Sequence, residues 1–294
     1  MQSSYKSHAL LALITAAALA PFVNKAFYVD DPLFIWMAQQ IVRHPLDPYG
    51  FHLNWSSFIQ PMSAVMQNPP LCSYYIAAID SIFGWSEISL HAAFLFWATM
   101  SILGTFALAQ RFCGLEGRAP ASPASQELRP PDKRANTAPF QAALFTLFTP
   151  IFLVSATTIM CDVMMLALWI WALEFWLAGL DRRQWWRFLV SAALISAAAL
   201  TKYFGIALLP LLAVYTLGRG RRFAIYLAFL LIPLAVISNY ELITEEKYGH
   251  GLFGAAMIAS SSISSATRPS HLAQLLMGLA FEADVSLVHL SLRL

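Results

Sequence analysis

Charged residues are scarce in this chain. Only 12% of its 294 residues are Asp, Glu, Lys or Arg, whereas 59% are hydrophobic. In soluble domains about a quarter of the residues are charged. The 18 basic and 16 acidic residues here are too few to cover so apolar a chain in water. The composition excludes an ordinary soluble globule and favours a membrane protein.

Sequence motifs of several other functional classes are missing as well. The three cysteines, Cys72, Cys113 and Cys161, lie far apart, and the histidines form no i, i+4 pair, so we expect no cofactor and leave only a divalent metal ion open. Neither GxxxxGK[ST] nor GxGxxG occurs, which argues against a tightly bound nucleotide. The net charge of +2 forms no continuous basic patch, so no nucleic-acid partner is expected.

Long apolar runs, by contrast, occupy most of the sequence. A spanning helix needs about 20 mostly apolar residues, and several of the runs approach that length. We therefore predict an all-α polytopic membrane bundle in contact with lipid, with one transmembrane domain over residues 1–294 and a long first outer loop carrying interfacial helices. The runs cover residues 8–24, 88–110, 139–157, 163–180, 188–201, 203–217 and 223–239.

Lysine and arginine collect in three segments between these runs. Residues 111–134, 182–187 and 219–222 hold eleven of the eighteen basic residues, and the positive-inside rule assigns them to the cytoplasm. The first segment is rich in Pro, Ala and Ser, which predicts a flexible cytoplasmic linker over residues 111–138. Because both flanks of residues 188–217 are basic, this stretch is predicted to form a hairpin with Lys202 at its outer tip.

Two adjacent aspartates begin a helix in the first outer segment. In YVDDPLF, Asp31 before Pro32 is typical of a helix start, with Asp31 as the N-cap and proline at the first helical position. Asp30 then stays free at the positive end of the helix dipole, which makes it the better candidate for a base, although a solvated loop acid is the simpler interpretation. The apolar face of this helix, Phe34, Met37 and Ile41, predicts a position in the membrane interface.

Further polar residues are expected on the same outer side. The helix after Pro69 and Pro70, residues 71–83, is too short to span, and its Tyr74 suits the headgroup level. Asp162 lies at an outer turn, and it and Lys202 would each be structural residues if they stood alone. Ionisable groups at the membrane edge are rare, so their predicted gathering on one face suggests a site for a phosphate-bearing substrate.

Four segments in this order resemble the membrane glycosyltransferases of the C superfamily. The closest resemblance is to the dolichyl-phosphate-mannose protein mannosyltransferase-like group, which includes bacterial lipid A aminoarabinose transferases. It implies inverting transfer of a sugar from a polyprenyl-phosphate donor to a lipid, glycan or protein acceptor, at the periplasmic face of an inner membrane. The segments are YVDDPLF, QNPPLCSYYIAAIDSIFG, ATTIMCDVMML and ALTKYFGIALLP, within residues 8–250.

The resemblance also implies roles for individual residues. Asp30 matches the general base, Asp31 its acidic neighbour, and Lys202 the contact to the donor phosphate. The other substrate-binding candidates are Asp162, Asn68 and Tyr74. Asn68 stands where the family usually carries Lys or His, and the family chains are longer, which predicts that this chain is incomplete at its C terminus.

Two other functions fit the same observations. A membrane transporter or lipid flippase would also have many spans and few charges at the membrane edge, although such proteins often carry internal repeats and none is evident here. A non-catalytic relative of the transferases would explain why Asn68 stands where the family usually carries Lys or His.

Overall fold

The computed structural model describes residues 2–28, 30–55, 57–116 and 133–258, and it confirms an all-α polytopic architecture. The central part of the predicted linker, residues 117–132, and the C-terminal residues 259–294 lie outside the described ranges. The helices are α1 (Gln2–Leu19), α2 (Asp31–Arg43), α3 (Met62–Val65), α4 (Leu71–Phe83), α5 (Glu87–Glu116), α6 (Lys133–Leu147), α7 (Pro150–Ala156), α8 (Cys161–Arg182), α9 (Trp185–Thr201), α10 (Leu208–Gly218) and α11 (Leu231–Tyr248).

Four of the described helical segments are long and apolar enough to cross a membrane. The predicted span over residues 139–157 is not a single straight helix, because α6 and α7 meet at a bend of 63°. Pro150 is at the start of α7, and a proline ring disfavours helical backbone in the preceding residue. The four spans are Tyr5–Phe22, Glu87–Cys113, Cys161–Arg182 and Arg221–Tyr248.

The helices around residue 202 form the predicted hairpin. The Ser191 hydroxyl in α9 donates to the Ala172 carbonyl in α8 at 2.7 Å, and Lys202 at the end of α9 pairs with Asp162 at the start of α8. Helices α8 and α9 are therefore antiparallel. Near the end of α10 the Thr216 hydroxyl accepts a hydrogen bond from the Trp176 indole, so α10 runs back along α8 and Lys202 lies at the tip.

A glycine allows the tight reversal after Lys202. The chain continues in a 3₁₀ helix, Tyr203–Ala207, which lies against the last turns of α9. A Cβ atom at Gly205 would come within 2.5 Å of the Ala198 carbonyl carbon, so only a residue without a side chain fits there. The close approach brings the start of α10 next to α9.

Described residues of the basic segments meet at the opposite end of α8. The Arg111 guanidinium in α5 bonds to both Glu174 and Asp181 of α8, and Arg219 after α10 also bonds to Asp181. This shared end agrees with the prediction that these segments lie on one side of the membrane. A helix of 22 residues is about 33 Å long, so this end is far from Lys202.

The predicted linker, residues 111–138, overlaps the helices on both sides. Helix α5 continues to Glu116, and α6 begins at Lys133, so both ends of the predicted linker are helical. The flexibility of the residues between them stays a prediction.

Helix α2 packs inside the protein on its apolar side. Phe34, Met37 and Ile41 have at most 5% of their surface exposed, and they belong to a core shared with Ile76 of α4. This face is covered by α4 and neighbouring residues, and the position of α2 in the membrane interface stays a prediction. The periodicity correctly predicted a helix here, and it covers residues 31–43.

A small antiparallel hairpin follows α2 and was not predicted. Strand β1 (His52–Asn54) pairs with β2 (Ile59–Pro61), with Leu53 opposite Gln60. Three-residue strands are too short to give a clear alternation of apolar and polar residues. The hairpin lies beside the polar face of α2.

Candidate functional site

Asp31 joins the start of α2 to the loop before α8. Its carboxylate is fully buried and accepts the backbone N–H of Tyr28 at 2.9 Å and that of Ile159 at 3.1 Å. The predicted N-cap role of Asp31 is wrong, since the helix begins at Asp31 itself and Asp30 occupies the N-cap position. Asp31 instead holds together two segments that are 128 residues apart in sequence.

The surroundings of Asp31 are mainly apolar, with two basic side chains nearby. Burial raises the pKa of Asp31, although the N–H groups of Tyr28 and Ile159 and the charges of His91 and Lys25 lower it. Lys25 also donates to the Thr157 carbonyl at 3.4 Å, so it lies beside the same loop.

Asp30 is the less constrained of the two aspartates. It is half-buried, and its side chain makes no capping hydrogen bond with the start of α2. No ion pair of Asp30 occurs among the described residues. Its carboxylate therefore remains available beside the positive end of the α2 dipole.

Lys202 and Asp162 form the ion pair at this end of the bundle. The Lys202 ammonium donates to the Asp162 carboxylate at 2.6 Å, and the two side chains are 36% and 37% exposed. Burial lowers the pKa of Lys202, but the hydrogen bond and charge of Asp162 outweigh it, so the pKa lies above its ordinary value. Asp162 lies in the first turn of α8 and Lys202 directly follows α9, so both helix dipoles also favour the charged forms.

One loop connects the aspartates to the lysine. Ile159 contacts Asp31 through its N–H, and its carbonyl accepts a hydrogen bond from the Cys72 thiol at 3.7 Å. Asp162 follows three residues later and binds Lys202. Asp31, Asp162 and Lys202 therefore lie at one end of the bundle, and Asp30 adjoins them.

An apolar groove begins at Asp162. Its volume is about 460 Å³, and it lies between α8 and the bent pair α6 and α7. Apart from Asp162, the walls are built mainly from hydrocarbon and aromatic side chains. The lining residues are Phe145, Thr146, Thr149, Ile151, Phe152, Ser155, Asp162, Val163, Met165 and Leu166.

Tyr74 lines a second cavity, of about 300 Å³, and Asn68 contacts Tyr49 in its wall. Tyr74 lines it together with Tyr49 and Lys247, whereas Asp162 and Lys202 are not among its described lining residues. The backbone carbonyl of Asn68 accepts a hydrogen bond from the Tyr49 hydroxyl at 2.6 Å. The structure pairs Asp162 with Lys202 and bonds Asp31 to the loop before Asp162, whereas Tyr74 lines the second cavity.

Several residues beside Asp31 or in the second cavity were not identified as site residues from the sequence. Lys25 and His91 lie beside Asp31, and Lys247 and Tyr49 line the second cavity. His91 is 96% buried and its Nε2 has no hydrogen-bond partner among the described residues. Only the scarcity of charged residues in so apolar a chain could have drawn attention to the two lysines.

The described residues hold no cluster of three or more His, Cys, Asp or Glu side chains suited to a metal ion.

Part of the chain matches a model of a known protein family. Residues 134–241 match the family model described as dolichyl-phosphate-mannose-protein mannosyltransferase, which supports a membrane glycosyltransferase-like family. The matched range includes Asp162 and Lys202 and begins after Asp30 and Asp31. No curated protein matches the chain.

Proposed function

We propose that this membrane glycosyltransferase-like chain transfers a sugar, with inversion, from a polyprenyl-phosphate donor to an acceptor at the periplasmic face of an inner membrane. One observation carries the proposal: Asp162, whose carboxylate pairs with the partly exposed Lys202, lines an apolar groove. A charged head beside a hydrocarbon-lined groove suits a lipid that bears a phosphate.

Lys202 would bind the donor phosphate. Its ammonium is held in position by Asp162, and both side chains remain accessible enough to meet a ligand. The positive charge would stabilise the negative charge that grows on the phosphate as it leaves, which is the electrostatic part of catalysis. Asp162 would position Lys202 rather than touch the reacting atoms.

The groove between α8 and the bent pair would hold the first isoprene units of the donor. Its walls include Phe152, Val163 and Met165, and it starts beside the phosphate-binding pair. Burial of hydrocarbon there is favourable by about 25 cal/mol for each Å² removed from water.

Asp30 would act as the general base. Its carboxylate takes the proton of the acceptor hydroxyl while the acceptor oxygen bonds to the anomeric carbon of the sugar. The bond from that carbon to the phosphate oxygen breaks at the opposite face, and the lipid phosphate leaves as an anion. Asp31, fixed by Tyr28 and Ile159, would hold Asp30 in place.

Asn68 and Tyr74 would contact substrate at the second cavity. The cavity combines apolar walls with phenol groups and with Lys247, which supplies a cation in the cavity beside Asn68. We assign it to the apolar part of the acceptor, next to the site of transfer.

The experiment is a transfer assay in membranes with radiolabelled polyprenyl-phosphate sugars. Asp30→Asn should insert and bind donor normally but transfer sugar about 10²–10⁴-fold more slowly, the usual loss when a general base is removed. The matched control is Glu245→Gln, since Glu245 is exposed and has no ion pair within the described ranges. Equal rates for Asp30→Asn and wild type would refute the assigned base.

A further inference from the structure

A polar groove lies on the exposed side of α2 and shares no lining residue with the two cavities described above. Its volume is about 310 Å³, at the small end of the range for small-molecule sites. The helix contributes one face at positions i, i+3, i+4 and i+7, and β1 with the residue before it forms the opposite wall. The lining residues are Trp36, Gln39, Gln40, Arg43, Phe51, His52, Leu53 and Asn54.

Trp36 offers a flat apolar surface at the groove. It is 40% exposed, although the opposite face of α2 is buried in the core. The Trp55 ring packs edge-on against it, with centroids 6.1 Å apart and planes at 82°. Such an arrangement fixes the orientation of the Trp36 ring and leaves part of it free to contact the C–H face of a ligand ring.

The polar side chains around Trp36 have unused hydrogen-bonding capacity. Gln39, Arg43 and His52 make no side-chain hydrogen bond or ion pair with any described residue. Gln40 donates to the Gly50 carbonyl at 3.5 Å, at the limit of a hydrogen bond. Amide and guanidinium groups beside an aromatic ring can satisfy several ligand hydroxyl groups at once.

The groove is also positively charged. None of its lining residues is acidic, so the Arg43 guanidinium has no counter-ion there. Asp47 lies between α2 and β1. Its carboxylate already accepts a hydrogen bond from Tyr248 and pairs with Lys247. An anionic ligand would therefore gain a charge-assisted hydrogen bond from Arg43.

We propose that this groove is a binding site for an acidic saccharide, a sugar ring bearing a phosphate or carboxylate group. The ring would stack on Trp36, its hydroxyls would bond to the amides, and Arg43 would bind the acidic group. That the saccharide belongs to the acceptor rests on the proposed transfer reaction, whereas binding itself does not.

The test is saturation-transfer NMR on the full chain in detergent, without donor. Glucose 6-phosphate and glucuronic acid should bind, and glucose should bind at least about tenfold more weakly. Arg43→Gln should remove the preference for the acidic sugars, and Trp36→Leu should weaken all three ligands. Asp30→Asn should bind like wild type, so a failed transfer reaction would leave this result intact.

Two exposed residues at the other end of the bundle provide matched controls. Arg182→Gln and Trp185→Leu remove the same side-chain types outside the groove and should leave binding unchanged. Unaltered binding in Arg43→Gln and Trp36→Leu would overturn the proposal. Binding of inorganic phosphate as tight as that of glucose 6-phosphate would overturn it too, because it would indicate an anion site without sugar recognition.

Discussion

The two ends of α8 use charge in different ways. At the Lys202 end, defined by Asp162 and Lys202, one exposed pair stands beside an apolar groove. At the Arg111 end, defined by Arg111, Glu174, Asp181 and Arg219, four charges form a chain of bonds across three helical segments. Arg111 and Glu174 have less than a fifth of their side-chain surface exposed, about half that of the Lys202 pair.

The difference indicates which charges are structural. Arg111 binds Glu174 with two nitrogen atoms and Asp181 with a third, so all three guanidinium nitrogens already bond to carboxylates. Lys202 has one carboxylate partner, and its ammonium carries three donors. We infer that the Arg111 end fixes the helices and that the Lys202 end meets the substrate.

Of the changes at the two ends of α8, removing the charge at the Lys202 end should have the larger effect on activity. In Lys202→Gln the donor phosphate loses its cation, and transfer should fall about 10²–10³-fold, as for loss of one electrostatic contact to a transition state. The measurement is the initial transfer rate per folded protein in membranes. A rate within twofold of wild type would remove the distinction between the two ends.

Removing a charge at the Arg111 end should instead destabilise the fold. Glu174→Gln leaves part of the Arg111 guanidinium without a carboxylate in an enclosed position, and the free energy of unfolding should fall by about 2 kcal/mol, less than for a fully buried pair because Asp181 remains. Unfolding in detergent measures this, with Glu245→Gln as control. Transfer per folded molecule should not change, and a selective loss of transfer would contradict the structural role.

The change in unfolding free energy of Lys202→Gln provides a further test of the difference between the two ends of α8. Its pair with Asp162 is more than one-third exposed, and pairs of this kind contribute about 0–1 kcal/mol. Unfolding of Lys202→Gln and Glu174→Gln should be compared in the same detergent. If Lys202→Gln proved the more destabilising of the two, the Lys202 pair would be structural.

The smallest expected effect is that of Asp31→Asn, which should reduce the dependence of stability on pH. Burial raises its pKa in the folded state above the ordinary value of 3.8, so its stabilising contribution is complete below that value. The contribution is lost as the pH rises through the folded-state pKa. Thermal unfolding between about pH 4 and about pH 7 should therefore depend less on pH in Asp31→Asn than in wild type, and an equal dependence would contradict the burial argument.

Local patterns in the sequence predicted the elements around Lys202 correctly. The basic flanks of residues 188–217 required an even number of crossings, and the structure has a hairpin with Lys202 at its tip. The periodicity after Asp31 predicted α2, and the apolar runs predicted α5 and α8. These features depend on residues that are close together in the chain.

Contacts between distant residues could not be predicted in this way. The partner of Asp31 is the N–H of Ile159, a group that every residue except proline carries, so no sequence signal identifies it. Arg111 and Glu174 are 63 residues apart, and only the packing of α5 on α8 brings them together. For the same reason the packing of the apolar face of α2 against α4 was not predicted.

Cysteine accessibility in membranes tests the account most directly. Single cysteines at positions 30, 202 and 183, in a Cys113→Ser background that leaves the buried Cys72 and Cys161, would be labelled with a membrane-impermeant thiol reagent. We predict that positions 30 and 202 react from the same, periplasmic side and that position 183 reacts only from the other. Reaction of positions 30 and 202 from opposite sides would contradict a shared site.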